Sequence, residues 1–134
     1  MPQLKWDELS FLEYLEIEPV VEDYETSHCY EIVNDGLRLQ VKVWQFESVV
    51  GLCLSRENNQ EPIIDFVCFV RGEIRCLSDK RGEFIEFNDC ILAPNRFWYQ
   101  SVGDIFDQER FPAGQTVKLQ VKPDISIVFD RSGF

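Results

Sequence analysis

The sequence has one histidine, and its five cysteines include no Cys-x-x-Cys pair. Nucleophilic catalysis of the Ser-His-Asp or Cys-His type needs a histidine as base beside its nucleophile. His28 has no Gly-x-Ser-x-Gly or comparable motif with it. Glycine-rich phosphate cradles of either common kind are missing, as is the aspartate-rich calcium loop. Basic residues are scarce: 13 Lys and Arg stand against 24 Asp and Glu, for a net charge of -11. Attraction to phosphate needs the opposite balance, so neither nucleic acid nor an anionic membrane is an expected partner. No apolar run reaches membrane-spanning length. The opening MPQLKWDELS has neither a basic n-region nor a long apolar h-region. With an odd number of cysteines, this leads to the expectation of free thiols in a reducing cytoplasm.

What is present is material for a core. Of the 134 residues, 45 % are apolar and 13 % aromatic, which argues for one folded domain over residues 1–134. Trp6, Leu9, Leu12 and Leu15 recur at helical spacing, and Asp7 and Glu8 suit a first turn, so a short helix is predicted over 6–15. Residues 16–26, with Pro19, break that period and read as an extended, acidic, solvated connector. From 27 to the end the pattern is that of an antiparallel β body.

Two hairpins can be placed by register. Asp35-Gly36 is a favoured two-residue type I′ loop. It sets Ile32 against Leu39, Tyr30 against Val41 and His28 against Val43, with Val33–Arg38, Glu31–Gln40 and Cys29–Lys42 on the other face. One face is apolar and the other largely polar, and a one-residue slip would mix them. A loop at Lys122-Pro123-Asp124 sets Val121 against Ile125, Leu119 against Ile127 and Val117 against Phe129. Strands are also predicted over 48–55, 62–70, 73–78 and 83–88, with a turn at Arg71-Gly72. The 62–70 run is apolar at nearly every position, which implies cover on both faces, with the N-terminal helix as one candidate. The expected fold is a mainly antiparallel β meander of about seven or eight strands, a β-sandwich or partly open barrel with one short N-terminal helix.

Candidate chemistry is thin. His28 reads as a partly buried residue with one hydrogen bond. Cys29 follows it on the opposite face by strand alternation, so a dyad is geometrically awkward. Cys53, Cys68, Cys76 and Cys90 read as small buried hydrophobes in or beside strands. The Arg71-Gly72 turn would place Cys76 against Val67. Asp65, within an apolar run, reads as either a solvent-facing position or half of an ion pair with Arg71 or Arg75. Glu83 and Glu86 read as surface charges. No catalytic residue, metal ligand or cofactor is assigned.

Two candidate contact surfaces remain. One is Arg96, Trp98 and Tyr99 with Phe106 and Phe111, residue types enriched at binding hot spots, which could equally cap the open end of the core. The other is the acidic stretch carrying Glu18, Glu22, Asp23 and Glu25. Residues 1–31 hold nine acids and one base, so most of the net charge sits there. Such a run is a solvated face or an electrostatic lure for a basic partner. The functional expectation is a non-enzymatic, cytoplasmic, bacterial-type protein-binding module: an adaptor, inhibitor or immunity-type protein. The alternative is a small-molecule-binding β-barrel or a weakly marked hydrolase. A homodimer through an edge strand is compatible with either.

Overall fold

Asp35 and Gly36 take φ of 52° and 77°, the left-handed values a type I′ loop requires. They join β2 (His28–Asn34) to β3 (Leu37–Trp44) in the register read from the sequence, from His28↔Val43 to Ile32↔Leu39. The computed structural model describes residues 4–94 and 114–131. Within them, nine strands form one open, antiparallel sheet, with a single α-helix near the N-terminus. The mainly β class with one N-terminal helix is as expected. The strands number nine, and they share one sheet.

β4 (Val49–Arg56) and β5 (Pro62–Val70) continue the meander. The turn expected at Arg71-Gly72 is no hairpin. β6 (Ile74–Asp79) runs on in line with β5, and both lie along the same side of β7 (Gly82–Pro94). Cys76 therefore faces Ile85 instead of Val67. At the junction β7 bulges at Asn88 and Asp89, and backbone bonds Arg71 N→Asp89 O and Gly72 N→Asn88 O bridge the break. Gly72 permits this approach, since a Cβ there would lie 2.8 Å from the Asn88 carbonyl oxygen. Residues 89–94, outside the predicted 83–88 strand, belong to β7.

β8 (Gln115–Gln120) pairs the other side of β7, and β9 (Ser126–Arg131) completes the sheet. Val117↔Phe129 and Leu119↔Ile127 are as predicted. The sheet curls until its halves meet at one end. Asn34, closing β2, donates through Nδ2 to the carbonyls of Val121 and Pro123, 2.9 Å each. The main core fills the concave side with Tyr30, Leu39, Val41, Leu52, Phe87 and Leu119, among others.

Helix α1 (Glu8–Leu15) covers that core. It starts later than the apolar spacing predicts, because Asp7 is its N-cap, accepting from the amides of Leu9 and Ser10 at 3.0 and 3.4 Å. The buried stripe is rotated from the expected one. Phe11 and Leu15 face inward, whereas Leu9 is 71 % exposed. Phe11 packs against Tyr30 and Phe87 with ring centroids 5.7 and 6.4 Å apart. Trp6, outside the helix, sits edge-on to Phe11 and to His28.

The far side of the sheet holds a second, smaller cluster of Val49, Val67 and Phe69, flanked by Trp44, Ile91 and Ala93. The distal half of β5 is thus covered on both faces, as its composition implied. Its first half is not, and Asp65 is exposed opposite Cys53. Asp65 has neither expected arginine beside it: Arg71 pairs with Asp89 at 2.7 Å, and Arg75 with Glu73 and Glu86. Glu86 is itself buried, contrary to its reading as a surface charge.

Candidate protein interface

The acidic connector has fixed structure. Pro19 precedes two β-branched residues, and these form the two-residue strand β1, with Val20 opposite Cys29 and Val21 opposite His28. The Glu22 amide donates to the Ser27 carbonyl at 3.0 Å. A single turn, Asp23–Glu25, then reverses the chain, with Tyr24 and Glu25 both at positive φ. Gln45, buried at the end of β3, donates from Nε2 to the Glu25 carbonyl and accepts from Trp6 Nε1. The stretch is therefore the rim of the sheet at its first strand. No period-based reading could find β1, because two residues are too few to show alternation.

Glu18, Glu22, Asp23 and Glu25 are all exposed on this rim. Glu22 pairs with Lys42 at 3.0 Å, and that hydrogen bond and charge hold its carboxyl below the ordinary glutamate range. Lys42 also lies 5.1 Å from the centroid of the Trp44 ring. Glu16, at the left-handed C-cap of α1, reaches Lys122 at 2.9 Å and raises that lysine's pKa. Among the described residues, Glu18, Asp23 and Glu25 have no ion pair. Apolar side chains interleave these acids, and sequence reasoning did not single them out. Tyr24 is 92 % exposed and Val20 74 %, with Ile17, Val21 and Val33 also open to solvent. Acids that set the approach of a partner, beside aromatic and branched side chains that can be desolvated on contact, are the two ingredients of a protein interface.

The other candidate surface, Arg96, Trp98, Tyr99, Phe106 and Phe111, lies outside the described residues. The remaining chemistry is quiet. His28 is 2 % exposed, with Nε2 3.7 Å from a Glu8 carboxylate oxygen and no hydrogen bond to Nδ1. Among the described residues, the single hydrogen bond expected of it is not made. Cys29 lies on the other face, in register with Lys42. All five cysteines are free thiols. Burial pushes Cys29, Cys53 and Cys68 up, and burial together with Asp7 and Glu13 takes Cys76 to about 11. Thiols held protonated at neutral pH are poor nucleophiles. No helix among the described residues is long and apolar enough to cross a membrane.

No protein-family model and no curated protein matches the chain. A solved structure does resemble it: a chain of a contact-dependent growth inhibition toxin–immunity protein complex from Klebsiella pneumoniae 342. The TM-score is 0.68 at 17 % sequence identity, covering 96 % of this chain and 96 % of that one. At this identity the likeness is one of fold.

Proposed function

We propose that the chain is a non-enzymatic binding module of the immunity type, which neutralises a basic protein toxin by occluding it. The observation that carries this reading is the shared fold, end to end, with a chain from a toxin–immunity protein complex. The charge supports it independently. A surplus of acid on one rim speeds encounter with a cationic partner and disfavours acidic ones. Exposed Tyr24 and Val20 beside those acids supply the apolar contact that charge alone lacks. Free thiols on every cysteine suit a reducing cytoplasm, where a delivered toxin would be met.

The test is a binding and protection assay against a panel of contact-dependent growth inhibition toxin domains. One cognate domain is expected to bind, with an association rate that falls at least tenfold between about 20 and 200 mM salt. Cells making this chain should survive expression of that toxin. If no toxin domain binds and none is neutralised, the immunity reading fails.

A further inference from the structure

β9 ends the sheet, and among the described residues no strand pairs with its outer side. The two ends of the sheet are protected unequally. β1 is two residues long and flanked by Pro19 and acids, the usual means of preventing edge pairing. β9 is six residues long and has neither proline nor charge from Ser126 to Phe129. Val128 is 50 % and Phe129 46 % exposed, one on each face of the strand. Phe129 already leans on Phe66, 5.5 Å away, on the concave side. Beside Val128, on the convex face, lies a shallow groove of about 220 Å³. Arg81, Lys118 and Phe84 line it together with Ser126 and Asp130.

We propose that β9 is a homodimer interface, in which two copies of the chain pair antiparallel about Val128 and join their sheets. Keeping both cores on one side of the joined sheet requires a two-fold axis perpendicular to it. Only like-facing residues then meet. Centring on Val128 pairs residues 126–130: Val128 meets its own copy, Ile127 meets Phe129 and Ser126 meets Asp130. Shifting the centre to Phe129 would set Asp130 against Val128, an acid against an apolar side chain. The chosen register also complements charge. Each Asp130 arrives beside the other copy's Ser126, at the mouth of a groove with two cations, Arg81 and Lys118, in its wall. Arg81 pairs with Asp79 at 3.5 Å, but its side chain is 85 % exposed and able to turn toward Asp130. Lys118 makes no ion pair among the described residues, only a contact 5.8 Å from the Phe84 centroid.

One short ladder is smaller than the interface of about 1,200–2,000 Å² typical of tight complexes, so the dimer should be weak and governed by mass action. Sedimentation of the full chain from about 10 µM to about 1 mM is expected to show a shift from monomer to dimer across that range. Val128→Glu should remain monomeric throughout. In the monomer the new carboxylate faces Lys118 across the ladder, so its unfolding midpoint should not fall, while in the dimer two carboxylates would meet on the axis. The register has its own test. Directly opposed residues have Cα atoms about 4.5–5.5 Å apart, within the span that a disulfide bridges. Val128→Cys should therefore give a covalent dimer under oxidised glutathione, well beyond wild type, and Ser126→Cys should not. A monomer at 1 mM, an undiminished dimer in Val128→Glu, or equal cross-linking at 126 and 128 overturns the proposal.

Discussion

Asp89 stands at a position where backbone and charge are solved together. Its φ is 52°, a value that aspartate and asparagine tolerate better than most residues. Its carboxylate holds Arg71, whose side chain is 3 % exposed. Gly114 passes so close that a Cβ there would collide with the Asp89 carboxylate. A buried guanidinium without its counter-charge is costly, so removal of the acid is the informative change. Asp89→Asn keeps the backbone preference and loses the charge. It should destabilise by about 3 kcal/mol in urea unfolding, and Asp89→Ala by more. The sequence did not disclose this pair. Read alone, Arg71-Gly72 looks like a hairpin turn, and a hairpin there directs Arg71 toward Asp65. Only the bulge opposite it, at Asn88 and Asp89, brings the true partner near.

Among the elements, legibility followed length and turn chemistry. Asp-Gly between two alternating runs leaves one workable register, and all six predicted pairs of β2 and β3 occur. The β8–β9 hairpin was legible for the same reason, with proline confining the loop. β1 was hidden because two residues carry no period, and because acids around them favoured a solvated reading. One surface pair adds to the ladder and backbone bonds that anchor it. The Glu22 carboxyl titrates below the ordinary range because Lys42 favours its charged form. Its contribution is therefore present above the unfolded-state pKa and is lost as pH falls through the lowered, folded-state value. Hydrogen exchange at the Glu22 amide, bonded to Ser27, reports this directly. After correction for the intrinsic pH dependence of exchange, protection there should drop below about pH 4, just under the ordinary glutamate range. Glu22→Gln should show reduced protection already at pH 7. Equal protection in both proteins would mean that the ladder alone holds β1.

The whole molecule brings charge and curvature into one arrangement. The curled sheet uses its concave side for the helix-covered core, which leaves the rim at β1 and the edge at β9 as separate outer surfaces. The general class was readable from period and composition, with a partly open barrel as one of two expected closures, but the contacts that fix the curl were not. The curl is fastened by Asn34 reaching the carbonyls just past β8, contacts between residues far apart in sequence. The candidate contact surface was only half legible too: the acids were visible, whereas the exposure of Tyr24 and Val20 required the turn that follows β1. Concentrating acid on one rim has a cost in the free protein, because like charges repel with no partner to offset them. Neutralising Glu18, Asp23 and Glu25 to their amides should therefore raise the urea midpoint slightly, by a few tenths of a kcal/mol in stability per site at low salt. That gain should vanish at about 0.5 M salt, where screening removes the repulsion. If the rim is an interface, the same triple variant should also bind its toxin with an association rate at least tenfold slower, while the dissociation rate changes little. A merely solvated face would show the stability gain without the kinetic loss, so measuring both quantities on one variant separates a functional acidic rim from an incidental one.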